Sequence, residues 1–343
     1  MNNVFVTGAG GFIGRHLVAE LLEQGCNVTA LMLPGEPVPH TWGGRVRTVT
    51  GDVRQLEDRI DDIGEVDTIF HLAAVVSDWG SRQEHVDITV RGTEQAILLA
   101  LKWDARFVVT TSIAAFASAL GSGRLDESTP RGLPASSYEY AKQQQEDVTL
   151  QAVREHGLRA VIIRPANVYG VGSVWVNRFR EFLAEKKPSL MGSGEWDAGL
   201  VHVRNLVKAL TLAGTTKGID NGEVFVISDG QGVTWKQYLD ALSQALALPA
   251  AKSIPNFLAR VLAPVMEFVG KLFGLRKAPP VTRLAYRLTG VESIFDASKA
   301  QRMLGYQPNV CLDEAIQEIR QACAQEVVQA HTKHNQSELI KAK

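Results

Sequence analysis

Short apolar runs rich in β-branched residues recur along the first half of the chain, at 4–7, 27–31, 46–50, 68–71, 107–110 and 160–164. Most are separated by stretches whose apolar positions recur at helical spacing, as Leu17, Val18, Leu21 and Leu22 do after the first run. The short runs read as strands and the intervening stretches as helices. Their alternation predicts an α/β fold, a doubly wound parallel sheet with helices on both faces, occupying roughly the first 165 residues. Further on, 224–227 reads as another strand, and 175–187, 205–212, 235–246 and 312–324 read as helices. These are too scattered for a second such sheet. The expected organisation is a dinucleotide-binding core over 1–170, a smaller substrate-binding region over 171–325 with some segments returning to the core, and a polar, frayed tail over 326–343.

One segment departs from this rhythm. Residues 254–275, IPNFLARVLAPVMEFVGKLFGL, are dense in apolar side chains but interrupted by Arg260, Pro264, Glu267 and Lys271. That is too much charge, and too early a proline, for a bilayer span. Three arrangements suit the pattern: a pair of helices packed on the core, a pair roofing an apolar substrate pocket, or an interfacial element in peripheral contact with a membrane surface.

Composition narrows the function classes. The chain has 343 residues, 45% hydrophobic and 21% charged, with a net charge of −1. Such a balance is ordinary for a globular protein and argues against a nucleic-acid partner. Cys26, Cys311 and Cys323 have neither a disulfide framework nor metal-ligand spacing, so no metal is expected and a reducing compartment is. The opening MNNVFVTGAGG lacks the basic and apolar regions of a signal peptide, and the expected location is cytoplasmic.

Directly after the first strand stands Thr7-Gly8-Ala9-Gly10-Gly11-Phe12-Ile13-Gly14, followed by the first helix. Gly8, Gly11 and Gly14 are spaced to make a tight bend, to let backbone N–H groups approach a pyrophosphate, and to pack helix on strand. The helix N-terminus then offers unpaired N–H groups and a favourable dipole to the phosphates, with Phe12 and Ile13 in its first turn. This predicts bound NAD or NADP. After the second strand, where an acid meets the adenosine ribose or an arginine a 2′-phosphate, the chain has Met32 and Leu33, so the preference between the two stays open. Asp52, followed by Val53, reads equally as an acceptor for the adenine amino group and as a strand-end cap.

Tyr138 and Lys142 are four residues apart at the start of a predicted helix and share one face. An ammonium near a phenol lowers the tyrosine pKa toward a range useful for exchanging a proton with a hydroxyl or carbonyl. Tyr140 points elsewhere. Ser112, just beyond the 107–110 strand, lies at the sheet edge where ligands of this architecture bind, and is placed to hold the substrate oxygen.

Taken in order, the glycine turn, Gly51-Asp52-Val53, His71-Leu72-Ala73-Ala74, Thr110-Thr111-Ser112, Tyr138 with Lys142, Arg164-Pro165-Ala166-Asn167-Val168-Tyr169-Gly170, His202-Val203 and Leu304-Gly305-Tyr306-Gln307-Pro308 resemble the extended short-chain dehydrogenase/reductase family nearly end to end. The resemblance implies a Rossmann fold and a catalytic set in which Tyr138 is the general acid/base, Lys142 holds the nicotinamide ribose and tunes Tyr138, and Ser112 orients the substrate. It implies that Leu72, Ala73 and Ala74 line the adenosine and ribose path, that Pro165 and Val168 lie near the nicotinamide, and that the protein is a homodimer built from two helices of each subunit. Thr89 departs from the family, which commonly has asparagine before V-x-G-T; that asparagine normally braces the active site or the cofactor.

The branch is read from charge. Nucleotide-sugar epimerases and dehydratases of the family usually carry an arginine in the stretch corresponding to 191–200, which here holds Glu195 and Asp197 and no arginine. A diphosphate there meets repulsion instead of a charge-assisted partner. Arg287 is the candidate for the second arginine of those enzymes, although its spacing to Asp296 is one residue off theirs. Trp79-Gly80-Ser81, the apolar segment 254–275 and Pro280-Val281-Thr282-Arg283 instead resemble the 3β-hydroxysteroid dehydrogenase branch. The expected activity is hydride transfer between nicotinamide and a secondary alcohol or ketone of a hydrophobic, sterol-like or long-chain substrate. The alternatives are a nucleotide-sugar epimerase or dehydratase and a non-catalytic NAD(P)-binding regulator.

Overall fold

A computed structural model describes the backbone of residues 1–341 and the side chains of residues 1–326. Seven strands form one parallel sheet: β1 (Asn3–Thr7), β2 (Asn27–Met32), β3 (Val46–Thr50), β4 (Thr68–His71), β5 (Arg106–Thr110), β6 (Ala160–Pro165) and β7 (Glu223–Ile227). They lie in the order β7-β6-β5-β4-β1-β2-β3. The chain therefore winds outward from β1 in one direction and then from β4 in the other. The crevice for a ligand opens where the direction reverses, above the carboxyl ends of β1 and β4.

Period-two alternation along the strands builds a core on each face of the sheet. Val4, Val6 and Phe70 face the side covered by helix α1 (Phe12–Glu23). Phe5, Ile69 and Phe107 face the opposite side, covered by α2 (Arg91–Lys102) and α3 (Ser137–His156). The six strands expected in the first half are all present, and the strand read at 224–227 is the outermost of the same sheet, paired with β6.

The later helices sort differently from their order in the sequence. Helix α4 (Val203–Thr215), expected with the substrate region, buries Leu206, Val207 and Leu210 in the core beneath α1. Apolar periodicity shows that a helix has a face to bury, not which layer it covers. A third core gathers Phe179, Leu183, Trp235, Tyr238, Leu242 and Ile316 into the smaller region. Strand 293–295 pairs with 123–125, returning the chain to the first half.

Residues 254–275 form one helix, α5 (Asn256–Leu272), and not a pair. Pro264 lies within it on the exposed side, where water can take the carbonyl that the missing N–H releases. The last helix, α6 (Leu312–Lys341), carries helical backbone through most of the expected frayed tail, and residues 342–343 lie outside the described residues.

Candidate active site

Backbone geometry accounts for the glycine turn. Gly8 has φ of +67°, and a Cβ there would lie 2.8 Å from the Ala73 nitrogen, so β1 can close on the chain leaving β4 only without a side chain. At Gly14 a Cβ would lie 2.1 Å from the Gly8 oxygen, which sets how tightly α1 starts over the turn. Gly11 is the residue before α1 and has no side chain to cap it, so the first-turn N–H groups, those of Phe12 and Ile13 among them, meet no side-chain acceptor. A turn lined by backbone at the positive end of a helix suits a pyrophosphate.

The missing acid arrives from four residues beyond β2. Leu33-Pro34-Gly35-Glu36 forms a turn in which the Glu36 N–H donates to the Leu33 carbonyl (3.0 Å) and Gly35 has φ of +80°. Proline second and glycine third is the type II pattern. The turn folds the Glu36 carboxylate back, where one oxygen accepts from the Leu33 N–H (3.0 Å) and the other lies against Gly10, 2.0 Å from where a Cβ would stand. Met32 is buried and Leu33 is exposed, and the carboxylate that the chain brings to the glycine turn from beyond β2 is that of Glu36. The proline–glycine pair was the signal for it in the sequence.

Asp52 caps the short helical turn 53–55 that follows β3. Its side chain accepts from the Arg54 N–H (2.9 Å) and from the Arg54 guanidinium through both oxygens (2.9 and 2.6 Å), and that pairing holds its pKa below the usual carboxylate range. Val53 is buried against Gly92 of α2, where an added Cβ would come within 2.7 Å of it.

Ser112, Tyr138 and Lys142 are brought together at the carboxyl edge of β5. Helix α3 starts with a capping box between Ser136 and Glu139, which places Tyr138 in the first turn and Lys142 one turn later. A buried bidentate pair joins the helix to the sheet: Arg164 of β6 donates twice to Glu146 (2.7 Å each), and Thr111 donates to the same carboxylate (2.9 Å). These bonds fix the strand end carrying Ser112 against α3. Lys142 Nζ lies 5.9 Å from the centre of the Tyr138 ring. Burial raises the Tyr138 pKa, Asp78 adds to the rise, and the Ser112 hydroxyl beside the phenol opposes it. The lowering expected from Lys142 is not among these influences, and burial takes the Lys142 ammonium itself down to about 7.

The structure adds a buried polar chain that the sequence did not reveal. Lys142 Nζ donates to the Thr110 carbonyl (3.2 Å) and to Gln145 (2.8 Å), and Gln145 donates to the Thr93 hydroxyl (2.9 Å). Thr93 spends its own proton on the Thr89 carbonyl (2.6 Å), so His71 Nε2, 2.9 Å from the same hydroxyl, must be the donor. His71 is fully buried with a pKa pushed down to about 3, so it is neutral and Nδ1 accepts from Thr7 (2.9 Å). Thr7 in turn accepts from the Ala73 N–H (3.2 Å). Thr89, the departure from the family pattern, braces the same loop by accepting from the Val75 N–H (3.1 Å). One continuous chain therefore ties Lys142 to the residue before Gly8 and to the Leu72-Ala73-Ala74 segment. Pro165 ends β6 and Val168 follows, half-buried, at the same edge of the sheet.

Residues 4–228 match the family model described as the NAD dependent epimerase/dehydratase family. The chain belongs to that family. It is an NAD(P)-dependent enzyme of the extended short-chain dehydrogenase/reductase type, and curated proteins to which it is similar include reductases and dehydrogenases. It is 29% identical over 325 residues to a 4-hydroxy-2-methyl-3-oxo-4-farnesyl-3,4-dihydroquinoline-1-oxide ketoreductase of Stigmatella aurantiaca, covering 93% of this chain and 96% of that one. It is 27% identical over 338 residues to a 3-beta-hydroxysteroid dehydrogenase of Mycolicibacterium neoaurum, covering 93% and 90%. Among solved structures it resembles UDP-glucose 4-epimerase of Thermotoga maritima with UDP-glucose (TM-score 0.75, 23% identity, 95% of this chain and 99% of that one). It also resembles MoeE5 in complex with UDP-glucuronic acid and NAD (TM-score 0.74, 23% identity, 95% and 100%). At that identity the structures speak for the fold alone.

Proposed function

We propose that this enzyme oxidises or reduces a secondary alcohol or ketone on a lipophilic molecule, using NAD(H). The observation that carries the reading is the fate of the arginines. Arg287, the candidate partner for a sugar-nucleotide diphosphate, is bonded to the buried Glu139 carboxylate (2.8 Å), and Arg283 is bonded to Glu267 (2.8 Å). In the 191–200 stretch Asp197 caps Gly199 (2.7 Å) and Glu195 is exposed, and Lys236, which packs against Gly194, is paired with Asp240 (2.8 Å), so the stretch itself offers a diphosphate no cation. The loops leaving the carboxyl edge of the sheet instead carry exposed Val76, Leu133, Val171 and Val174. The two curated relatives described above, named for a farnesylated quinoline oxide and a hydroxysteroid, support a substrate of the same apolar class.

In this reading Tyr138 takes the hydroxyl proton during oxidation and returns it during reduction, while Ser112 holds the substrate oxygen. Lys142 has two of its three hydrogens occupied, and the third is available to a ribose hydroxyl or to the phenolate. A bound nicotinamide supplies the hydride acceptor or donor. Glu36, an anion folded onto Gly10, supports NAD over NADP, because it suits the ribose diol and repels a 2′-phosphate. A homodimer through α2 and α3 belongs to the same reading, and Leu98, exposed on α2, suits that contact.

The test is a panel of sterols, long-chain hydroxy-lipids and UDP-sugars assayed with both cofactors. Net NADH formation from an apolar alcohol is the expected result. Interconversion of UDP-sugars with no net change in cofactor supports the epimerase instead.

A further inference from the structure

Nine of the eighteen large apolar side chains exposed among the described residues lie within 257–275. Helix α5 explains why. Its inner line is Ala259, Ala263, Glu267 and Gly270, three small residues and one acid, so the helix sits close on the protein without burying a large side chain. Glu267 is turned inward, where it accepts from the Arg283 N–H (2.6 Å) and guanidinium. Gly270 lies against Trp79, and the Trp79 indole donates to the Leu275 carbonyl (2.7 Å). The outer face presents Phe257, Val261, Val265, Phe268 and Leu272 to water, with the two phenylalanines about 70% exposed (73% and 68%). Phe273 and Leu275 continue the patch beyond the helix.

The exposed charges carried by this segment have one sign. Lys252, Arg260, Lys271, Arg276 and Lys277 are exposed, and the only acid between 252 and 277 is the inward Glu267. A twofold contact with a second copy would set these cations against their own equivalents. A surface with apolar depth and negative charge satisfies both features at once. Among the described residues no helix is long and apolar enough to cross a membrane.

We infer that α5 lies in the interface of an anionic lipid bilayer, with Phe257, Val261, Val265, Phe268 and Leu272 among the acyl chains and the flanking lysines and arginines at the headgroups. The helix rests on the loop holding Trp79 and Gly80, and Ser137, beside Tyr138, donates to the Gly80 carbonyl (3.3 Å). The docked face therefore sets the substrate side of the site at the lipid surface. That last step rests on the lipophilic-substrate reading, whereas membrane docking does not.

The experiment is co-sedimentation of the full chain, without substrate, with phosphatidylcholine vesicles that contain or lack phosphatidylglycerol. The intact protein is expected to partition onto the anionic vesicles. Phe257→Ser with Phe268→Ser should reduce partitioning by at least roughly ten-fold. Arg260→Gln and Lys271→Gln should each reduce it roughly five-fold. All four sites are exposed, so NAD binding and melting temperature should be unchanged. The inference is overturned if the intact protein stays in solution with both vesicle types, or if the serine variant partitions as well as the parent. It is also overturned if that variant instead converts a dimer to a monomer, which would assign the face to a second copy. Loss of turnover with every apolar alcohol, alongside intact vesicle binding, would remove the substrate reading and leave the docking surface standing.

Discussion

At the cofactor end of the cleft, backbone closes on backbone: Gly8 meets Ala73, Gly14 meets Gly8, and the polar groups from Lys142 to Thr7 are joined bond by bond. At the other end the loops carry exposed Val76, Leu133 and Val171, Arg283 and Arg287 are already paired, and α5 turns a greasy face outward. The difference shows two ways of holding a ligand. A dinucleotide of fixed shape is held by a rigid frame in which single atoms decide the fit, whereas the lipophilic substrate proposed above would be held by area, to which many residues contribute a little.

Substitutions should separate the two ends, and the largest effect is expected at Tyr138. Tyr138→Phe should lower kcat by about 10²- to 10⁴-fold while the Kd for NAD, measured by titration calorimetry, stays within about two-fold. Gly8→Ala strikes the frame: the +67° backbone and the contact with Ala73 should weaken NAD binding by roughly ten-fold or more and lower the melting temperature, with strain of about 1–2 kcal/mol from the dihedral alone. Glu36→Gln should narrow the preference for NAD over NADP by roughly ten-fold, read as a ratio of Kd values, without moving kcat for an apolar alcohol as far.

A last effect, on stability and not on ligands, is a pH dependence of the frame. His71 titrates at about 3 when folded and near 6.5 when unfolded, so the unfolded chain binds the extra proton below pH 6.5. Stability from this group is complete above that pH and falls as acid is added, by about 2 kcal/mol between pH 7 and pH 5. His202, pushed down to about 4, acts in the same sense, and Asp229, pushed up to about 7, acts in the opposite one. The loss on acidification, measured by denaturant unfolding, should therefore be about 2 kcal/mol smaller in His71→Gln, where those other groups are unchanged.

The two ends also differ in how far they could be read from the chain. Gly8 and Gly14 were legible because a close approach at each, and at Gly8 a positive φ, leaves no room for a side chain, Gly11 was legible from its spacing between them, and the sheet was legible because its strands alternate or are wholly apolar. Tyr138 and Lys142 were legible from helical spacing. Glu36 was missed because a turn, and not strand register, brings it to Gly10. His71, Thr93 and Gln145 were missed because they meet only across β4, α2 and α3, and no local spacing encodes that meeting. That α4 is a segment returning to the core, and that the apolar stretch 254–275 is one helix where a pair was expected, could not be read for a related reason, since an apolar stripe says that a face is covered without saying by what.

The measurement that tests the account most directly is nicotinamide absorbance at pH 7 for the purified enzyme with NAD and either a sterol-like alcohol or UDP-glucose. The account predicts steady NADH formation with the alcohol, lost in Tyr138→Phe, and no reaction with UDP-glucose. Epimerised UDP-sugar without net NADH, together with no turnover of the alcohol, would contradict it.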